Sequence, residues 1–513
     1  EFVVAIDLGT SCTAYSWKSR RDETPSVGVP DMRPGDTIYG KSPTTLLVRG
    51  TTGANREFRA TDVDCYGRDA DECYQNNKHQ HGSQLFRRFK MMHKNPSRTT
   101  FDDLLMASTR STSRLAEIDL LEIFVLALSY IKDVRVMSLT VTEPLTAKEV
   151  VWVLTVPVCC SNAAKEFLRL SATKAGFISG GDDDESLVLC MEPIAACLAL
   201  GDRLHWKTGD KYLVVDSGGG TVDISTFVVN NITPGRLAQL GEAGGGPWGA
   251  TNVDKHFEDF LEDFIRSVSQ DAGARIMKSF LASSAMYRIT QSWERAKVGL
   301  KSINDECRID LRELESSALE VTLAAMDSGR RKANRDGEDL VGGYGTWDLV
   351  LTPTLMKKLS APLCDNITKA VSYELDKPEL QGLTSVVMVG GFSGSVYLQQ
   401  EAIRACVSAK YPEESVTVNI AMSPDLAVVQ GAAHFASLQE YNPAPRKGFM
   451  RSSRTLEQYP AAPSFEKITS ALSYGIISSD VYGSTVPTCF DVFLLKGEGC
   501  EMNYKVRCIL ITI

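Results

Sequence analysis

The sequence predicts an α/β fold built from two related halves. Three observations carry that reading. Short apolar runs with strand character alternate with longer runs of helical periodicity. Two of the strand-like runs end in one device: VVAIDLGTS (3–11) and LVVDSGGGT (213–221) each lead into an aspartate, a glycine turn and a hydroxyl residue, and they begin 210 residues apart. That interval suits two lobes and is far longer than a solenoid repeat. Finally, 513 residues with 43% hydrophobic and 23% charged side chains have ordinary globular composition and can bury a substantial core.

From the N-terminus, FVVAID (2–7) reads as a strand that ends in a glycine turn. Residues 50–83 are polar, with few apolar runs, and read as a peripheral insertion. Residues 119–133 read as a helix capped by Asp119. VVWVLTV (150–156) is a buried strand stopped by Pro157, and KYLVVD (211–216) is another strand. Residues 253–268 place Val253, Phe257, Phe260, Leu261, Phe264, Ile265 and Val268 on one helical face. TSVVMV (384–389) is a buried strand followed by a helix over 395–407. The expected division is a first lobe over 1–211, a second over 212–440 and a Pro-rich linker over 441–467. A β-prone segment over 468–513, with ALSYGIISS and CFDVFLL, is too short for an independent domain.

The net charge of −9 argues against nucleic acid or an anionic membrane surface as partner. The longest apolar stretch, 150–160, is too short to span a bilayer and is broken by Pro157. Thirteen cysteines, with no CxxC pair, read as free thiols in a reducing compartment, which implies a cytoplasmic location. The sequence starts without Met and stops abruptly on CILITI, as a fragment does.

The glycine turns carry the chemistry. Gly9 lets the backbone turn tightly and leaves its amide unshielded, while Thr10 and Ser11 add hydroxyl donors. Gly218, Gly219, Gly220 and Thr221 repeat the device. Either copy alone is better read as a plain β-hairpin; two copies, each behind an aspartate at a strand end, point to a polyphosphate. Asp7 and Asp216 would repel that polyphosphate unless Mg²⁺ lay between them, held through water. A third turn, Gly390-Gly391, lies between a strand and a helix whose N-terminus could take phosphate or ribose; a tight strand-to-helix turn is the plainer alternative. Other phosphate motifs fail: GxxxxGK[ST] does not occur, and GGGPWG (244–249) matches GxGxxG without a βαβ context.

AIDLGTS, VVDSGGGTVDIS, MEPIAACLAL, ERAKVGL and VMVGGFSGS stand in the order seen in the actin, sugar kinase and 70-kDa heat-shock superfamily. The chain resembles the 70-kDa heat-shock proteins over residues 1 to about 440. Through SPTTLLV (42–48), FRRFKMMH (86–93) and GGPWGATNVD (245–254) it is most similar to their divergent type 12 branch. The resemblance implies the actin-like ATPase fold, with two lobes around a nucleotide cleft. It implies ATP or ADP with Mg²⁺ as cofactors, and client proteins or co-chaperones as partners. It places Asp7, Gly9, Thr10 and Ser11 in a first phosphate loop, Asp216, Gly218 to Gly220 and Thr221 in a second, and Gly245 near them. Asp7 and Asp216 would hold the metal. Glu192, Asp223 and Thr221 would be catalytic, with Lys90 as the cation beside the γ-phosphate.

On the nucleoside side the resemblance implies Glu294, Lys297, Gly390, Gly391 and Asp425. The two arginines that stack on adenine in typical members are replaced by Val298 and Gly394, removing about 0.5–2 kcal/mol of cation–π attraction each. Phe392 is a candidate substitute, with a core position as its alternative. Pro157 and Lys165 fall at the family's proline relay, where lysine replaces an arginine and loses its forked contact. The acidic-leucine linker is absent from 441–467, and 468–513 has no room for a helical lid. The expected function is therefore ATP binding with slow Mg²⁺-dependent hydrolysis in stress response or protein quality control. The alternatives are a non-hydrolysing nucleotide sensor and a small-molecule kinase on the same scaffold.

Overall fold

The computed structural model describes residues 2–19, 25–28, 41–76, 82–90, 101–113, 116–136, 150–158, 160–178, 186–200, 206–231, 236–266, 284–310, 341–345, 348–412, 415–438, 467–469, 474–478, 489–494 and 499–501. The chain opens with an antiparallel hairpin, β1 (Phe2–Leu8) and β2 (Cys12–Ser19). Two short strands, β3 (Ser26–Gly28) and β4 (Ser42–Pro43), pair with β2. Next come β5 (Thr45–Thr52), β6 (Phe58–Tyr66), helix α1 (Gly67–Gln75) and β7 (Ser83–Arg87), the strands forming a sheet in the order β6-β5-β7. The described part of the expected polar insertion, 50–76 and 82–83, is thus mostly regular structure. Phe58 and Tyr66, at its strand ends, are buried in the main core, so two well-placed aromatics anchor a segment with few apolar runs.

Helix α2 (Phe101–Leu105) and the short pair β8 (Ser108–Arg110) and β9 (Glu117–Asp119) lead to α3 (Leu120–Tyr130), which continues as a π-helical turn over Ile131–Val136. The helix falls within the expected 119–133, but Asp119 accepts no cap hydrogen bond. Strand β10 (Val150–Val156) runs parallel to β1, and helix α4 (Asn162–Lys174) is capped by Ser161, whose hydroxyl accepts from the Ala164 amide at 3.2 Å. Strand β11 (Leu187–Met191) runs parallel to β10 and passes directly into α5 (Glu192–Ala199).

The plan then repeats. Strands β12 (Lys211–Ser217), β13 (Val222–Asn231) and β14 (Arg236–Gly246) form an antiparallel meander. Helices α6 (Ala250–Arg266) and α7 (Ser284–Gly299) come next, then a small sheet of β15 (Cys307–Asp310), β16 (Val341–Gly345) and β17 (Asp348–Leu351) in the order β15-β17-β16. Helix α8 (Pro353–Leu375) leads to β18 (Leu383–Val389), which is parallel to β12. A 3₁₀ turn (Gly391–Gly394), a π-helical stretch (Leu398–Arg404) and α9 (Ala405–Lys410) precede β19 (Thr417–Ile420), parallel to β18, and α10 (Ala427–Leu438). One mixed sheet reads β3-β2-β1-β10-β11 and the other β14-β13-β12-β18-β19. Each has a central strand, a meander on one side and two parallel strands on the other, so the echo between β1 and β12 marks equivalent positions in two sheets.

Two hydrophobic cores accompany these sheets. On α6, Val253, Phe257 and Leu261 are buried and Phe260 is half-buried, as the helical face predicts; the side chains of Phe264 and Ile265, and Val268 altogether, lie outside the described residues. Helix α10 packs on α5 so closely that a Cβ on Gly431 would fall 1.7 Å from the Ala195 carbonyl oxygen. The Pro-rich 441–466 lies outside the described residues. Beyond it, β20 (Lys467–Thr469) pairs with β23 (Gly499–Glu501), and β21 (Tyr474–Ser478) with β22 (Cys489–Leu494), so both β-prone runs contain strands. Nine cysteines between Cys12 and Cys406 are free thiols, and no helix of the described residues is long and apolar enough to cross a membrane.

Candidate functional site

The two equivalent hairpins bring their turns together. In the first, the Gly9 amide donates to the Cys12 carbonyl at 3.1 Å, and a Cβ on Gly9 would lie 2.3 Å from that oxygen. In the second, the Gly218 amide donates to the Thr221 carbonyl at 2.9 Å. A Cβ on Gly219 would lie 2.0 Å from the Ser11 hydroxyl oxygen, so the turns touch across 208 positions of sequence. The carbonyls of Gly218, Gly219 and Gly220 accept from the amides of Ala250, Thr251 and Gly249, at the start of α6, at 3.1, 2.8 and 3.2 Å. The hairpin and phosphate readings therefore do not compete: both motifs are hairpins, and their turns share one place.

The third glycine site joins them. Gly390 has φ of +83°, and a Cβ there would fall 2.4 Å from the Ser217 carbonyl oxygen and 2.5 Å from an Asp216 carboxylate oxygen. Its amide donates to the Pro424 carbonyl at 2.8 Å, and a Cβ on Gly391 would meet Asp425 at 3.9 Å, so Gly390, Gly391 and Asp425 cluster beside Asp216. Gly391–Gly394 forms a four-residue 3₁₀ turn, after which the expected helix runs over 396–410 with a π-helical middle; the Ser393 hydroxyl bonds back to the Val389 carbonyl at 2.5 Å. Gly245, with φ of +129°, lies opposite Asp223 in the β13–β14 ladder.

Four acids gather here. Asp7 ends β1, Asp216 and Asp223 face each other across β12 and β13, and Glu192 begins α5. Asp7 accepts from the Thr155 hydroxyl at 2.8 Å and forms an ion pair with Lys41. Glu192 pairs with Lys90 at 3.3 Å. Thr221 donates to Asp223 at 3.0 Å. Thr10 lies in the first turn, next to Ser11.

Their environments differ. Burial opposes the charged form of Asp7, but the Lys41 and Lys90 ammoniums outweigh it and hold its carboxyl below the usual range. Burial, with Asp7 and Asp223 adding to it, lifts Glu192 to about 7 even though Lys90 opposes the rise. Burial and the Glu192, Asp223 and Asp7 carboxylates push Asp216 well above the usual range, and no described residue donates a hydrogen bond or ion pair to it. Burial would lower Lys90, yet Glu192 and Asp7 hold it above its ordinary value.

The hydroxyl oxygens of Ser11 and Ser217 are buried without partners among the described residues. A buried Asp216 carboxyl that no described residue pairs, and these orphan hydroxyls, fit a hydrated cation with an anionic ligand. No three His, Cys, Asp or Glu side chains of the described residues converge to ligate an ion directly.

A second polar cluster surrounds Glu294 and Lys297 on α7. Lys297 is ion-paired with Asp254 of α6, whose carboxylate also accepts from the Trp293 indole at 2.9 Å. Trp293 is fixed by stacking on Phe257, with centroids 4.2 Å apart. Arg88 donates to Glu294 at 3.0 Å and to Asp254 at 3.4 Å. Val298 is 48% exposed, and a Cβ on Gly394 would meet nothing within 4 Å. Phe392 is 4% exposed and packs inside the second core, the alternative that the sequence left open for it. Pro157 ends β10, and Lys165 lies in the first turn of α4.

Sequence reasoning missed Lys41, Thr155, Arg88 and Asp254. Lys41 had a signal, since it precedes SPTTLLV, and Arg88 lies two positions before Lys90.

No family model matches the chain. Curated relatives do. Human heat shock 70 kDa protein 12B is 27% identical over 84% of this chain and 68% of its own length. Human heat shock 70 kDa protein 12A is 25% identical over 84% of this chain and 69% of its own length. A chaperone protein DnaK of Ureaplasma urealyticum is 28% identical over 61% of this chain and 43% of its own. The similarity to the 70-kDa heat-shock family, with type 12 proteins among the relatives, is thus seen in alignment over most of the chain as well as in the motifs.

Proposed function

We propose that this chain is an ATP-binding protein of the 70-kDa heat-shock kind that hydrolyses ATP slowly with Mg²⁺ and serves protein quality control or the stress response. The heat-shock and chaperone names of its relatives support the coarse reading. In this reading the two equivalent sheets are the cores of two lobes of an actin-like ATPase, 1–211 and 212–440, with nucleotide between them. The observation that carries it is the meeting of both glycine turns at Ser11 and Gly219 beside Asp7, Asp216, Asp223, Glu192 and Lys90.

Each residue then has a task. Asp7 and Asp216 would hold hydrated Mg²⁺ through its waters, and the ion would neutralise phosphate charge. The turn backbones and the Ser11 hydroxyl would take phosphate oxygens. Lys90, oriented by Glu192, would face the charge that develops on the transferred phosphoryl group. Asp223, held by Thr221, would orient water and accept its proton as the new oxygen–phosphorus bond forms and the bond to ADP breaks. Nine free thiols among the described residues suit a cytoplasmic setting, where clients or co-chaperones would be partners.

Single-turnover ATP hydrolysis by the wild type and Asp216→Asn tests the enzyme claim. A wild-type rate at background would remove hydrolysis and leave a second reading, a nucleotide-gated sensor whose state a partner reads. That reading is favoured by Glu294 and Lys297, whose charges already pair with Arg88 and Asp254.

A further inference from the structure

Lys41 is held where a ligand cation would be useful. Arg68 on α1 donates to its carbonyl at 3.0 Å. The next three residues lace onto the first glycine turn. Ser42 and Pro43 pair with Thr13 and Cys12, the Thr44 amide reaches the Ser11 carbonyl at 2.8 Å, and the Thr44 hydroxyl reaches the Gly9 carbonyl at 2.7 Å. A strand tied at these points keeps Lys41 beside the turn. Its side chain, 13% exposed, ends on one oxygen of Asp7, while the Thr155 hydroxyl takes the other. Asp216, the equivalent residue of the second sheet, has neither partner, so the two aspartates of one site are unlike.

We propose that Lys41 is a phosphate-binding cation built into the first turn: it supplies at Asp7 the positive charge that would otherwise fall to a divalent ion, and so makes nucleoside di- and triphosphate binding only weakly dependent on Mg²⁺. The inference rests on the nucleotide reading above. An ammonium has three donors; one engages Asp7 and two are left for phosphate oxygens. Lysine binds phosphate as a point charge and needs no forked geometry. Mg²⁺, held through its waters by Asp216 and, beside Lys41, by Asp7, then matters chiefly for hydrolysis and less for holding the nucleotide.

The test measures ATP and ADP affinity by calorimetry on the full chain, in excess Mg²⁺ and in EDTA, for wild type, Lys41→Met and Lys41→Arg. The wild type should lose less than about tenfold in EDTA, and Lys41→Met should lose roughly ten- to a hundredfold more, the worth of a charge-assisted contact. In Mg²⁺ the two should agree within about threefold, and Lys41→Arg should restore binding in EDTA, since it keeps the charge. Equal affinities of wild type and Lys41→Met in EDTA would overturn the proposal. So would tighter Mg²⁺-ATP binding by Lys41→Met, because Lys41 would then merely block the ion. If Lys41→Met fails to fold by circular dichroism, the wild type alone decides: a loss beyond about a hundredfold in EDTA overturns the proposal. No ATP binding in either buffer by folded wild type would instead sink the nucleotide reading itself.

Discussion

The acid cluster at the glycine turns and the polar cluster around Asp254 are made from the same residue types, yet they stand in opposite electrostatic states. At the turns, Asp216 is buried without a partner among the described residues and two serine hydroxyls are unsatisfied. Around Asp254 four charges are paired: Lys297, Arg88 and the Trp293 indole share its carboxylate, and Glu294 takes Arg88. A buried charge without a partner costs stability and persists where a ligand compensates for it. A satisfied network has less to gain from a ligand, since binding would exchange one set of bonds for another. Under the proposed nucleotide reading, the difference predicts a ligand gripped by its phosphates and held lightly by its base.

The sharpest way to break this comparison is to remove the charges at the turns. Lys90→Met and Asp216→Asn should each lower single-turnover ATP hydrolysis by about 10²–10³-fold, the scale for losing one preorganised charge-stabilising group; rates within tenfold of wild type would place the chemistry elsewhere. In nucleotide-free protein Asp216→Asn should raise the melting temperature, because it removes a carboxylate that burial and three like charges disfavour. A lower melting temperature would mean that Asp216 has a compensating partner.

Glu192 supplies a pH test. Its folded pKa is raised to about 7 from 4.5, so the folded state holds a proton that the unfolded state releases. Stability is therefore greatest below about pH 4.5 as far as this group is concerned, and is lost as pH rises towards 7. The loss is of the order of 3 kcal/mol if the whole rise is realised, and less with Lys90 paired beside it. Denaturant unfolding in EDTA should show this fall, and Glu192→Gln should flatten it; an unchanged slope in the variant would assign the pH dependence to other groups.

A smaller effect separates two glycines of one loop. Gly390→Ala, at φ of +83° and within 2.5 Å of Ser217 and Asp216 atoms, should cost about 2 kcal/mol, whereas Gly394→Ala should stay within about 0.5 kcal/mol because its space is open. Equal costs, read from urea midpoints, would contradict the crowding at Asp216. The smallest expected effect is on the base: ATP and GTP affinities should differ by less than about tenfold, since Val298 and Gly394 offer no cation to stack on it. Competition binding that favours ATP by more than a hundredfold would restore a base grip that the comparison denies.

Much of this was legible in the sequence. The strands, the turns, the helix face at Val253, Phe257 and Leu261, and Lys90 as a cation candidate all rest on residues close in the chain. Phe392 was ambiguous, because an aromatic after a glycine pair reads equally as core or as platform, and only its burial separates the two. Lys41, Thr155 and Asp254 were missed because each acts through one side chain placed by a remote element. Asp7 and Thr155 are 148 positions apart, and Asp254 and Arg88 166.

By itself the sequence determined two strand–aspartate–glycine turns and the elements around them, because hydrophobic period, glycine freedom and side-chain chemistry act locally. Tertiary structure alone decided that the turns touch, that Lys41 ion-pairs with Asp7 and not with Asp216, and that Glu294 and Lys297 look toward Arg88 and Asp254. Those outcomes depend on distance through space and on exclusion from water, and Coulomb energy in a buried site changes severalfold with both.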